Sequence, residues 1–133
     1  LALGADAVQI GSRFVTSVES SAHEAFKNTV VEIQEGATQL TLKELAPVRL
    51  VKNKFYQDVA EAYANCATKE DLIKVLGRAR AKKGMFEGDL EEGELEIGQI
   101  SGLIDEIKPA GEIVKEIISE FKSVQSEMTA FDL

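Results

Sequence analysis

Apolar residues recur along this chain with two different periods. Ala5, Ala7, Val8 and Ile10 form a short run between Gly4 and Gly11, which suits a buried parallel strand better than a helix. Leu1 to Gly4 reads as the end of a helix already under way, with Gly4 as its stop. Residues 13–19 form a connection of mixed polarity. Ser21 and Glu24 have capping-box spacing, and Ala22, Phe26, Val30 and Ile33 then share one helical face up to Gly36. Thr38 to Leu42 alternates as a half-exposed strand, and Val48 to Val51 is a second, with Lys43–Pro47 as the turn between them. Pro47 argues against an interior place for the start of that second strand. Phe55, Val59, Ala62 and Cys66 predict a helix over 54–66. Thr68 and Asp71 start another, with Leu72, Ile73, Leu76 and Ala79 as its buried stripe and Gly77 weakening its middle by about 1 kcal/mol. Pro109 sits at a first helical position. The helix after it carries Ile113, Val114, Ile117, Ile118 and Phe121 on one face and is expected to run to Gln125, with 127–133 frayed.

A chain of 133 residues is expected to be one domain with a real core. The net charge of −8 argues against nucleic acid or an anionic membrane as the partner of the surface as a whole. No apolar run approaches the length of a membrane span. A single cysteine rules out an intrachain disulfide and fits a cytoplasmic protein.

Candidate chemistry is sparse. Gly11-Ser12 ends the first strand with exposed N–H groups and a hydroxyl, the place where α/β folds hold ligand phosphates; a plain strand–loop boundary is the other reading. His23 is the only histidine and falls in a capped first turn, where a histidine is usually structural, with general-base duty as the alternative. One His and one Cys in separate segments make no nucleophile–base pair, so no catalytic residue is assigned. Cys66 reads as a buried small hydrophobe. Arg78, Arg80, Lys82 and Lys83 complement the negative end of their helix, with a nucleotide phosphate as the alternative. Six acids between Glu87 and Glu96 balance that basic segment as a solvated loop. Their order is not that of a calcium loop, and no metal site is assigned.

Leu1–Phe14 resembles the last barrel strand of the FMN-dependent nitronate monooxygenases, also called 2-nitropropane dioxygenases, which are related to the flavin-dependent enoyl-ACP reductases. The likeness continues through Glu19–Lys27, Pro47–Asn53, Phe86–Asp89 and Gly98–Ile104, in family order and spacing. It covers essentially the whole chain but corresponds to the C-terminal part of such an enzyme, since a barrel of this kind needs about 250 residues.

The resemblance implies an α/β fold: the C-terminal fragment of a TIM barrel, with its last strand and terminal helix, carrying a small, mostly helical α+β insertion. Residues 1–20 would be the strand and phosphate loop, 21–96 the insertion, and 97–133 an active-site loop and the barrel helix. FMN is the implied cofactor, and Gln9, Ile10, Gly11 and Ser12 match the block the family places against it. Gln99 would line the pocket mouth, although Glu96-Ile97 replaces the Met-Ala common among relatives. Arg49–Asn53 is taken as structural, and the family's catalytic His lies upstream. The implied reaction is oxidation of an alkyl nitronate by oxygen. The alternatives are an NAD(P)H-dependent enoyl-ACP reductase and, in another class, a non-catalytic helical interaction module. Expected partners are a small-molecule substrate and either a second copy or the missing N-terminal part of the barrel. The fragment alone is expected to be inactive.

Overall fold

The structure, a computed structural model, describes residues 4–130. The helix end expected at Leu1–Leu3 lies outside that range. Residues 4–11 are exposed, and residues 5–10 join no ladder. The expected strand therefore does not form here, because a strand exists only beside a hydrogen-bonded neighbour. Where an irregular connection was expected, Ser12–Val15 forms a one-turn helix, α1, begun by Gly11. Thr16 and Ser17 follow it into the interior, their hydroxyls donating to the Arg13 and Phe14 carbonyls at 3.0 and 2.8 Å.

The next helix, α2 (Glu24–Glu32), is capped by His23 rather than Ser21: the His23 Nδ1 accepts from the Ala25 N–H at 3.1 Å. Phe26 and Val30 are buried on it as expected. So is Lys27, whose ammonium donates to the carbonyls of Ser17 and Ser20 at 2.8 Å and of Val18 at 3.3 Å. Those three acceptors replace the water a buried ammonium loses.

The strands β1 (Thr38–Thr41) and β2 (Val48–Val51) form the antiparallel hairpin predicted by their alternation, with Thr38 opposite Val51. Beyond its start, β2 is paired on its second edge as well. Along its other edge the Val51 N–H donates to the Leu95 carbonyl at 3.0 Å, and the Ile97 N–H donates to the Arg49 carbonyl at 3.2 Å. Pro47 is tolerated because it lies one residue before the ladder. Successive β2 residues point to opposite faces, so Val51 joins Phe26, Val30, Leu95, Ile97 and Ile104 in one apolar cluster. Leu50 joins Leu42, Phe55, Val59 and Leu72 in another. The first cluster takes residues from both sides of the 96/97 boundary.

Asn53 caps α3 (Lys54–Ala64), and the expected Thr68–Asp71 capping box starts α4 (Lys69–Leu76). Both helices end earlier than predicted. Past α3, Cys66 takes φ +56°, and the N–H groups of Cys66 and Ala67 bond the Tyr63 and Ala62 carbonyls. This is the Schellman closure with cysteine where glycine is usual. It leaves Cys66 exposed, not buried. Gly77 stops α4 instead of weakening its middle, at φ +63°, ψ −143°, a conformation closed to residues with a Cβ. Ile73 and Ala79 are consequently exposed, and of the expected stripe only Leu72 is fully buried. Of the basic residues beyond, Arg80 alone reaches back, donating to the Val75 and Leu76 carbonyls at 3.3 Å while its guanidinium lies 5.0 Å from the Phe55 ring centre.

A π-helical turn (Lys82–Phe86) and a 3-10 turn (Gln99–Leu103) lead to α5 (Ala110–Thr129), which continues through residues expected to fray. Pro109 supplies no side-chain cap; the Glu19 carboxylate does so instead, accepting from the Ala110 N–H at 2.8 Å. That bond holds the Glu19 carboxyl below its ordinary pKa. Ile113 anchors α5 in the body. Past Ile117 every described residue is exposed, including Ile118, Phe121, Val124 and Met128. No helix among the described residues is long and apolar enough to cross a membrane.

Candidate functional site

Gln9, Ile10, Gly11 and Ser12 lie where the exposed 4–11 segment turns into α1. The first N–H groups of any helix lack intrahelical partners, and among the described residues the Gly11 and Ser12 amides find no acceptor. The space beside Gly11 is open: a Cβ built there would meet nothing within 4 Å. Ser12 Oγ accepts from the Gly98 N–H at 3.0 Å. That bond fixes the hydroxyl and leaves its proton to donate outward. Gly98 has to be glycine for this contact, because its Cβ would fall 2.5 Å from Ser12 Oγ. Two segments 86 residues apart are thereby clasped.

Around the clasp lie two depressions. One, of about 350 Å³, is bordered by Ser12, Val48, Arg49 and Gly98. Arg49 donates to the Thr38 hydroxyl at 3.2 Å, so it ties the hairpin together and also borders the Ser12 surface, a position its strand pattern did not single out. The other, of about 420 Å³ and mainly apolar, is lined by Glu35, Gln99, Ile100, Gly102 and Leu103. Gln99, expected at the pocket mouth, lines this depression.

The remaining candidates are engaged in contacts within the chain. The His23 N–H donates to the Met85 carbonyl at 2.7 Å, and its ring packs so closely on Gly88 that a Cβ there would fall 2.3 Å from Nδ1. The acidic segment pairs with the basic one, Glu87 with Lys82 at 2.9 Å, Asp89 with Lys83 at 3.0 Å, and Glu92 with Arg80 at 3.1 Å and with Lys54. Hydrogen bonds from Lys54 and Arg80 hold the Glu92 carboxyl below its ordinary pKa. With three of the four basic residues so engaged, the phosphate reading of that cluster has no support. Among the described residues no group of three or more His, Cys, Asp or Glu side chains is placed to hold a metal ion. Asn53 was legible only as part of a block, yet it is a hub: besides its cap, its amide donates to the Leu90 and Gly93 carbonyls at 2.8 Å.

The nitronate monooxygenase family model matches residues 1–120. The chain belongs to the nitronate monooxygenase family. It is 28% identical over 136 residues to a nitronate monooxygenase of Neurospora crassa, covering 98% of this chain and 36% of that protein. It is 30% identical over 122 residues to a probable nitronate monooxygenase of Bacillus subtilis, covering 90% of the chain and 33% of the relative. Among solved structures, FabK from Thermotoga maritima superimposes with a TM-score of 0.83 at 35% identity, over 98% of this chain and 42% of that one. A substituted form of the same FabK gives 0.80 at 34%, over 98% and 39%. The chain thus spans about a third of the length of the curated relatives it matches. The family is one of oxidoreductases, and the helix-rich fold with its small sheet is shared with FabK.

Proposed function

We propose that the whole protein is an FMN-dependent oxidoreductase that oxidises alkyl nitronates with oxygen, and that this chain supplies half of its grip on the FMN phosphate. One observation carries the reading: the Gly11 and Ser12 amides have no acceptors among the described residues, the space beside the Gly11 α-carbon is open, and the adjacent Ser12 hydroxyl is held by Gly98. Such donors at a helix start suit a phosphate. Gly11 lets the phosphate approach the main chain, the two amides and the Ser12 hydroxyl donate to it, and Gln9 and Ile10 border the cofactor. When bound, the flavin supplies the electron chemistry; the protein orients it and shields it. The 4–10 segment is the barrel's last strand, awaiting its neighbours, and the bare side of α5 packs on the rest of that barrel. Since the chain spans about a third of its curated relatives, it is inactive alone.

A second reading, an NAD(P)H-dependent FMN enoyl-ACP reductase, draws support from the higher identity to FabK, 35% against 30%. Two assays on the full-length protein separate them: nitronate-dependent oxygen uptake, and enoyl-thioester-dependent oxidation of NAD(P)H. Ser12→Ala should weaken FMN binding, followed by flavin fluorescence, by about tenfold, the value of one charge-assisted hydrogen bond. Unchanged FMN affinity would refute the phosphate grip. A full-length protein indifferent to FMN would return the interaction-module reading.

A further inference from the structure

Glu94 is a carboxylate without a visible partner. It is 8% exposed, and no side chain or amide among the described residues donates to it. The segment Glu94-Leu95-Glu96-Ile97 runs along the free edge of β2, and its residues alternate between faces. Leu95 and Ile97 enter the first apolar cluster. Glu94 and Glu96 face the other way, into a pocket of about 210 Å³ walled by Leu42, Leu45, Val48 and Leu76. A single water needs about 10–15 Å³ on this measure, so the pocket admits a chain of several heavy atoms. The charged groups whose fields reach Glu94 are Glu96, which opposes its ionisation, and Arg80, which favours it but is already bonded to Glu92. An acidic floor under aliphatic walls is complementary to one kind of ligand, a short hydrocarbon chain ending in a cation.

We propose that this pocket binds a primary alkylammonium group, with its methylenes against Leu42, Leu45 and Leu76 and its charge on Glu94 and Glu96. The ammonium supplies donors that no described protein group gives Glu94, whose oxygens otherwise meet solvent, and a metal ion would find too few oxygens here. Burial has pushed the Glu94 pKa up to about 6, and Glu96 adds to the effect, so the site is acidic at neutral pH and silent in acid. The pocket adjoins the depression beside Ser12, sharing Pro47, Val48 and Glu96 with it, whereas Leu42, Leu45, Leu76 and Glu94 line the pocket alone, so Glu94→Gln tests the proposal apart from the FMN phosphate grip.

The test is a titration of the full-length protein with n-butylammonium, followed by the methyl shifts of Leu42, Leu45 and Leu76, with n-butanol as the neutral isostere. Saturable shifts with the amine and none with the alcohol are expected. Affinity should fall about tenfold one pH unit below the Glu94 pKa of about 6. Glu94→Gln should weaken binding by about tenfold or more, and Glu96→Gln by less. Nα-acetyl-lysine amide, whose side-chain ammonium is free, is the second arm. If it binds as well as the amine, the occupant is a lysine side chain of a protein; if only the amine binds, it is a free alkylamine. Absence of shifts, equal shifts with butanol, or undiminished binding by a well-folded Glu94→Gln protein would overturn the proposal.

Discussion

Replacing Asn53 separates two functions that the fold assigns to one side chain. Its Oδ1 accepts the Tyr56 N–H at 3.1 Å and so caps α3, while its amide donates to the Leu90 and Gly93 carbonyls at 2.8 Å and docks the acidic segment onto the helix start. Loss of a cap costs about 1 kcal/mol, and each of two short bonds to part-buried carbonyls contributes about 1 kcal/mol. Asn53→Ala should therefore destabilise by about 3 kcal/mol, a fall of roughly 10–15 °C in Tm for a chain of this size. Asn53→Asp is the discriminating variant. Aspartate caps as well as asparagine and suits the positive helix end, yet it has no donors and sets a carboxylate against two carbonyls. It should be at least as destabilised as the alanine variant. Thermal and urea denaturation of the three proteins measure this directly. If Asn53→Asp kept wild-type stability, the bonds to Leu90 and Gly93 would contribute nothing, and the account of how the acidic segment is held would be wrong.

Glu94 should leave a mark on the pH profile of stability. Its raised pKa means that the folded state binds its proton more tightly, so the stabilisation is complete below about pH 4.5 and is lost as pH rises through about 6. Glu94→Gln should therefore gain on the wild type above pH 6, by about 1 kcal/mol after allowance for solvent screening, and denaturation on either side of that pH reads the difference. Cys66→Gly should stabilise by about 1 kcal/mol, since φ +56° is strained for any residue with a Cβ; unchanged stability would contradict the Schellman closure. Gly98→Ala forces a Cβ to within 2.5 Å of Ser12 Oγ. It should cost about 1–3 kcal/mol and loosen FMN in the full-length protein, both measurable on one preparation.

Local signals were legible and conditional ones were not. The hairpin, the Thr68–Asp71 box and the helix that begins at Lys54 follow from alternation, capping chemistry and apolar spacing, which act within a few residues. The helix ends were misjudged where backbone conformation decided them. Gly77 looked like an interior weakness because apolar spacing continues past it, and Cys66 occupies a left-handed position that favours glycine. Residues 5–10 show the opposite limit, since their strand pattern needs neighbours to become a strand. At the site, Gly11-Ser12 could be read from composition. That Gly98 would orient Ser12, or that Glu94 would be enclosed by a turn five decades of residue numbers closer to the start, depends on contacts no local pattern encodes.

The clasp between Ser12 and Gly98 turns most of the chain into a detour that leaves one point and returns to it. Within that detour α3 and α4 pack on their own cluster, away from the corner. Closing a longer excursion is cheap, about 0.6 kcal/mol for each doubling of length. The outward-facing side of the stretch from Lys54 to Leu76, and the turn within it, can therefore be lengthened or exchanged without moving the corner so long as Phe55, Val59 and Leu72 still cover Leu42 and Leu50. Variation among relatives should gather there while the hinge of the loop stays the same.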